Sequence, residues 1–319
     1  MPVAASTPFP VLCLAGATAS GKTSLALAMA KALGGAIINA DSRQIYADFP
    51  LICAQPTPEE QAQAPHYLYG ILPSTAKISA GEWCHLAHDA IVSARKQHLV
   101  PILVGGTGMY FQALLHGIVP IPPIDPALRA TLEARMDAEG PLALYGELEA
   151  CDPSYAKSIH QNDRQRIVRA LEVFHQTGHP FSWWHHQKSL QQPFCQGPLY
   201  VIAASLDWLE PRIRARIDSM MESGALKEAK EAFARCPNTE APAWSGIGCW
   251  ELLAYLRGRV SLDEALALWC KHTRAYAKRQ NTWFRGRKEA IFFQPKQEAD
   301  LLAHAVQDWD RLQKGVFQG

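Results

Sequence analysis

Apolar residues along this chain follow two different periods. Val11–Ala15 (VLCLA), Ala36–Ala40 (AIINA) and Pro101–Val104 (PILV) are short unbroken apolar runs. That is the texture of strands buried on both faces of a parallel sheet. Tyr67–Leu72 reads as a further short strand. Between these runs the spacing becomes helical. Leu25–Leu33 is rich in Ala, Leu and Met and stops at Gly34-Gly35. Gly81–Gln97 places Trp83, Leu86, Ala87, Ala90, Ile91 and Ala94 on one face. Strand and helix in alternation predict an α/β fold: a parallel sheet with right-handed crossovers, flanked by helices.

The texture shifts at the proline-dense Val119–Pro126 (VPIPPIDP). Residues 127–178 read almost wholly as helix, Gln187–Pro198 as a polar loop, and Leu199–Leu206 (LYVIAASL) as strand again. Helices are expected from Pro211 onward, with breaks at Pro237–Pro242 and Gly246–Gly248 and an amphipathic closing helix at Leu301–Leu312. The expected organisation is an α/β core over 1–124 and 198–294, whose C-terminal half is helical. An all-helical domain is inserted at 125–197, and a closing helix lies within 295–319.

Composition narrows the class. Hydrophobic residues make up 48% and charged residues 19%, which excludes disorder as the main state. No apolar run reaches the length of a membrane span, and the apolar start lacks a cationic flank, so a cytoplasmic protein is expected. Eight cysteines are scattered with no C-x-x-C pair, which argues against zinc ribbons and redox motifs and suits a reducing compartment.

Candidate chemistry begins at Gly16-Ala17-Thr18-Ala19-Ser20-Gly21-Lys22-Thr23, which fits G-x-x-x-x-G-K-[ST] between an expected strand and an expected helix. Such a loop is most often an ATP-binding element. Its backbone N–H groups and the helix dipole cradle phosphates, Lys22 neutralises them, and Thr23 is the expected Mg²⁺ contact. The sequence lacks the acidic strand end of an ordinary P-loop enzyme: Ile102–Val104 runs into Gly105-Gly106-Thr107-Gly108. An acid instead follows the earlier strand, in Asp41-Ser42-Arg43-Gln44. Ligands of open α/β sheets sit beyond the strands' carboxyl ends, so these three loops should converge. Asp41 also reads as a turn or capping residue, and Thr107 as part of a tight turn.

The net charge of +1 hides basic clusters. Arg257–Lys288 holds nine cations against two acids, interleaved with Trp269, Tyr276, Trp283 and Phe284. Arg164, Arg166 and Arg169 form a second cluster, and Arg212, Arg214 and Arg216 a third. One such cluster is usually a solvated helix face. Three of them, with aromatics interleaved, favour RNA, whose single-stranded loops offer bases for stacking.

The stretches LAGATASGKTSLALAMA, NADSRQIY, VPILVGGTGMY, NDRQRIVRALEVFHQTGHP and YAKRQNTWFR, in this order over residues 11–290, resemble the bacterial tRNA dimethylallyltransferases. The resemblance implies transfer of a dimethylallyl group from dimethylallyl diphosphate to N6 of adenine 37, in tRNAs that read codons beginning with U. It implies that Gly16–Thr23 holds the donor's diphosphate rather than ATP. Lys22, a Thr23-bound Mg²⁺ and Arg216 would then stabilise the leaving group. Thr107 would bond near the donor's bridging oxygen, and Asp41 would take the N6 proton. It also implies tRNA contacts at Asp41, Ser42, Arg43, Gln44, Thr107, Arg129, Gln165, Arg166, Ile167, Val168, Arg169, Lys278, Arg279, Gln280 and Arg285. A monomer with no obligate protein partner is expected. The chain departs from the family pattern where G-T-A-K-P becomes Ile52-Cys53-Ala54-Gln55-Pro56 and P-H-H-L-[IV]-D becomes Pro65–Gly70. It departs again where I-G-Y-[KR]-E becomes Ile247-Gly248-Cys249-Trp250-Glu251. The rival readings are a small-metabolite kinase, a prenyltransferase of free AMP or ADP, and a non-catalytic RNA-binding module.

Overall fold

The computed structural model describes residues 8–119, 121–187 and 193–315. The chain divides into two compact units, Met1–Leu115 with Pro193–Gly319, and His116–Gln192.

The larger unit opens with β1 (Phe9–Pro10), β2 (Leu12–Gly16), α1 (Lys22–Leu33) and β3 (Gly35–Asn39). There follow α2 (Pro58–Gln61), β4 (His66–Tyr67), α3 (Ala80–Lys96), β5 (Val100–Gly105) and α4 (Gly108–His116). The smaller unit holds α5 (Pro126–Glu139), α6 (Pro141–Cys151), α7 (Pro153–Ala156), α8 (Arg164–Thr177) and α9 (Phe181–His186). The larger unit resumes with β6 (Cys195–Gln196), β7 (Leu199–Ile202), α10 (Leu206–Glu222) and α11 (Ala225–Arg235). It ends with α12 (Cys249–Leu256), α13 (Leu262–Arg285), β8 (Ala290–Phe293) and α14 (Glu298–Gln313).

Six strands form one sheet in the order β4-β3-β5-β2-β7-β8, every neighbour parallel. β2, β3 and β5 are buried throughout because helices cover both faces. The pleat sorts β2 between two cores. Leu12 and Leu14 join Met29 of α1 and Trp309 of α14, while Cys13 and Ala15 join Trp83 of α3 and Phe284 of α13. In the smaller unit α8 is amphipathic. Ile167, Val168 and Leu171 pack on Leu132 and Met136 of α5 and Leu144 and Leu148 of α6.

Several boundaries differ from expectation for local reasons. The strand expected over Tyr67–Leu72 stops at Tyr67, because Leu68 and Gly70 adopt left-handed φ of 66° and 60°. Within the expected loop Gln187–Pro198, Cys195 and Gln196 pair with β1, and residues 188–192 lie outside the described residues. The strand expected to reach Leu206 ends at Ile202, where the Ser205 hydroxyl accepts from Trp208 N and caps α10. Pro211, expected at a helix start, lies inside α10. β8 was expected as helix. Its four residues are too few to declare a period, and as an edge strand it leaves Ile291 and Phe292 exposed. Among the described residues no helix is long and apolar enough to cross a membrane.

Candidate active site

Beyond the carboxyl end of β2 the chain turns sharply into α1. Gly21 caps that helix with φ 93°, a conformation that favours glycine, and Ala19 is held at φ 62°. The Lys22 ammonium folds back to donate to the carbonyls of Gly16 (2.9 Å) and Ala17 (2.7 Å). Burial lowers its pKa to about 8, with Asp41 opposing the shift and Arg216 adding to it. The buried Ser20 hydroxyl has no hydrogen-bond partner among the described residues.

Beyond β3, Asn39 organises the acidic loop. Its Oδ1 accepts from Asp41 N (2.8 Å), and its Nδ2 donates to the carbonyls of Asp41 and Leu68. Asp41 Oδ1 accepts from Arg43 N at 2.8 Å, an Asx turn that fixes the carboxylate. The Gln44 amide donates to the carbonyls of Cys53 (3.1 Å) and Ala54 (2.6 Å). Arg43 Nη1 donates to Ser245 Oγ (2.7 Å) and the Pro242 carbonyl (3.1 Å).

Beyond β5, Gly105 lets the strand ends close: a Cβ there would lie 2.1 Å from the Ala40 carbonyl oxygen. Thr107 Oγ1 accepts from Ser42 N (3.0 Å) and donates to Ser42 Oγ (3.3 Å). Tyr276 of α13 is hydrogen-bonded to Thr107, and burial, reinforced by Asp41, pushes its phenol up to about 12. Gln280, one turn further along α13, accepts from Thr18 N and donates to the Gly106 carbonyl, each at 2.9 Å. The three loops therefore meet, and α13 ties them together.

Two cavities open here. The larger, about 450 Å³, is lined by Thr18–Ser24 together with Glu60, Tyr69, Arg212 and Arg216. The smaller, about 320 Å³, has apolar walls of Ile52, Ile213, Ile217, Met220, Ile247 and Trp269. Asp41, Arg216, Thr18, Ala19, Cys53 and Ala54 line both. Burial lowers the Arg216 pKa, while Glu60 and Asp41 raise it. A desolvated guanidinium and ammonium beside a phosphate-type loop suit a multiply charged anion. The carboxylate at the junction of the two cavities suits a hydrogen-bond donor arriving from the second.

The family model described as IPP transferase matches residues 44–287. The chain belongs to the IPP transferase family. A tRNA dimethylallyltransferase of Desulfovibrio desulfuricans is 56% identical over 290 residues, 91% of this chain and 90% of that one. One of Rhodopseudomonas palustris is 40% identical over 94% of this chain and 93% of its own. Among solved structures, the full-length tRNA isopentenylpyrophosphate transferase of Bacillus halodurans matches with a TM-score of 0.69 at 31% identity. That match covers 96% of this chain and 98% of that one. A eukaryotic dimethylallyltransferase acting on tRNA matches with a TM-score of 0.80 at 25% identity, covering 96% and 80%.

Within this family member the structure brings Gly16–Thr23, Asp41–Gln44, Thr107, Arg216, Arg279 and Gln280 to one place. Lys278, Arg279 and Arg285 are exposed on α13, but Gln280 is buried, with both polar atoms engaged inside the fold. The smaller unit carries Arg129, Gln165, Arg166 and Arg169 on accessible faces, whereas Ile167 and Val168 face its core, because α8 buries its apolar stripe. Arg129 pairs with Glu133, Arg166 with Asp163, and Arg169 with the buried Glu172. The departures from the family pattern are accommodated locally. Gln55 donates to the Tyr46 carbonyl and fills the space beside Gly70, while Cys53 and Cys249 meet as a thiol pair. Sequence reading missed Glu60 and Tyr69, and gave Tyr276 only as one of the aromatics interleaved with the α13 cations. The apolar wall of α10 carried a signal in the spacing Ile213, Ile217, Met220.

Proposed function

We propose that this chain transfers a dimethylallyl group from dimethylallyl diphosphate to N6 of adenine 37 in tRNAs reading codons that begin with U. The observation that carries the reading is Asp41, held on the wall shared by a phosphate-binding cavity and an apolar one. Membership of the IPP transferase family supports it. The donor's diphosphate lies against the Gly16–Thr23 loop, Lys22 and Arg216. Their charge stabilises the departing diphosphate in a desolvated setting, where it counts most. The N6 lone pair attacks the allylic carbon, the carbon–oxygen bond to diphosphate breaks, and Asp41 takes the N6 proton. Asp41 Oδ1 is occupied by Arg43 N, which leaves Oδ2 for the amine. Thr107, bonded to Ser42 and Tyr276, which line the apolar cavity, is the proposed partner of the donor's bridging oxygen.

Thr23 is exposed at the start of α1 and lines the larger cavity with Asp41 and Glu60, so its hydroxyl fits a Mg²⁺ contact. Among the described residues no cluster of three His, Cys, Asp or Glu could hold a metal, so such an ion would share the diphosphate oxygens as ligands. Bound Mg²⁺ would supply further neutralisation of the leaving group. Lys278, Arg279 and Arg285, with Arg129, Gln165, Arg166 and Arg169 of the smaller unit, are the proposed contacts for the tRNA backbone. The adenine must leave its stack to reach Asp41, at a cost of a few kcal/mol that is least in a loop. The same reading has the enzyme working as a monomer in the cytoplasm, with no obligate protein partner.

The test is a transfer assay with labelled dimethylallyl diphosphate, Mg²⁺ and an unmodified tRNA carrying A36-A37-A38, with AMP and ATP arms in parallel. Label should enter the tRNA and be lost when A37 is changed to G. Label in AMP alone would move the protein to free nucleotides, and ATP turnover without transfer would make it a kinase.

A further inference from the structure

We infer that Gln280 is a positioning residue of the transfer reaction: its one side-chain amide locks the diphosphate loop to the Gly106–Thr107 loop. The inference rests on the function proposed above. The amide reaches two segments far apart in sequence, accepting from Thr18 N at 2.9 Å and donating to the Gly106 carbonyl at 2.9 Å. Gln280 is only 4% exposed; its bond to Gly106 is buried and its bond to Thr18 half-buried, so competition from bulk water is weak. Gly106 is what admits the amide, since a Cβ there would lie 2.0 Å from Gln280 Nε2. Tyr276, one helical turn earlier, bonds Thr107, and the neighbouring Asn281 donates to the Ala204 carbonyl at 2.8 Å beyond β7.

One anchored helix thus sets the spacing between the loop that holds the leaving group and the loop beside the acceptor. Ångström errors in that spacing are costly to a displacement that needs the amine in line with the allylic carbon. A direct tRNA contact is incompatible with this burial. Gln280 acts on the reaction through Thr18 and Gly106.

Two variants test this. Gln280→Met keeps length and burial but makes neither hydrogen bond. Gln280→Glu can replace the amide only when protonated, because the ionised form has no donor for the Gly106 carbonyl. The readouts are affinity for inorganic diphosphate, single-turnover transfer at saturating substrates, and tRNA affinity by filter binding. Gln280→Met should bind diphosphate and transfer the prenyl group about tenfold less well in each readout, the equivalent of a lost hydrogen bond. Its tRNA affinity should stay within about twofold, well under the effect of losing one contact. The rate of Gln280→Glu relative to wild type should rise severalfold from pH 8 to pH 6, a recovery that a purely architectural defect does not produce. Wild-type diphosphate affinity and rate in Gln280→Met would overturn the inference. So would a loss confined to tRNA affinity. If the wild type transfers nothing, the proposed function fails, and the diphosphate arm alone decides: a tenfold loss in Gln280→Met upholds the clamp and equal affinities refute it.

Discussion

Raising the pH from 7 to 9 should weaken binding of dimethylallyl diphosphate about tenfold, through Lys22 alone. Burial holds the Lys22 ammonium at a pKa of about 8 in the free protein, against an ordinary 10.5. About nine-tenths of the molecules carry the charge at pH 7 and about one-tenth at pH 9. On the proposed function the bound diphosphate faces the ammonium and keeps it protonated, so above pH 8 binding must take up a proton. The ligand's terminal phosphate loses its last proton near pH 6 and does not titrate in this window. The Lys22 contribution to the stability of the ligand-free protein should respond in the opposite direction. Between about pH 8 and 10.5 the unfolded chain holds a proton on Lys22 that the folded chain has lost. That contribution therefore rises with pH there, by at most about 1.4 kcal/mol per pH unit, while the buried Cys13, Cys84, Cys195 and Cys249 thiols, which burial pushes up, act in the opposite sense above about pH 9. Calorimetry in buffers of different ionisation enthalpy measures both affinity and proton uptake, which should grow from near zero at pH 7 toward one at pH 9. In Lys22→Met the pH dependence of affinity should disappear, and the difference between the two proteins' stability slopes isolates the Lys22 contribution. Constant wild-type affinity from pH 7 to 9 without proton uptake would refute the reasoning.

Asp41→Ala should abolish transfer while leaving tRNA affinity nearly intact; near-wild-type turnover in a single-turnover assay would remove Asp41 from the mechanism. Lys278→Ala with Arg279→Ala should weaken tRNA binding uniformly and lower the slope of log K against log salt by about two. An unchanged slope would show that these exposed cations do not meet phosphates. Gly105→Ala drives a methyl against the Ala40 carbonyl, 2.1 Å away, and should cost about 2–4 kcal/mol in urea unfolding. An unchanged midpoint would mean that the ends of β3 and β5 can part freely.

The phosphate loop was legible because everything it needs is local: an apolar strand, two glycines, a lysine and a helix start. Convergence of Asp41 and Thr107 with it followed from parallel-sheet topology alone. The cross-links were harder to read. Trp269, Thr273, Tyr276 and Gln280 repeat at helical spacing along α13, but Lys278 and Arg279 interrupt the same stretch, so it reads as one cation-and-aromatic surface. Only packing shows that two faces coexist, one wet and cationic, the other reaching into the site. Ile167 and Val168 make the same point on α8, where a stretch expected to touch tRNA contains the residues that hold the helix down. β8 was invisible because a four-residue edge strand lacks both length and burial.

β2 lies at the middle of the sheet, yet its two neighbours are made at very different times. β5 precedes the inserted unit and β7 follows it, with 93 residues between Gly105 and Leu199. At synthesis rates of about 5–20 residues per second, the edge of β2 that β7 will cover stays open for several seconds after β5 has emerged. α13, and with it the Gln280 bridge, comes later still. A nascent chain therefore carries its whole Gly16–Thr23 loop long before the loop is fastened, and the insertion lengthens the interval in which β2 can pair wrongly.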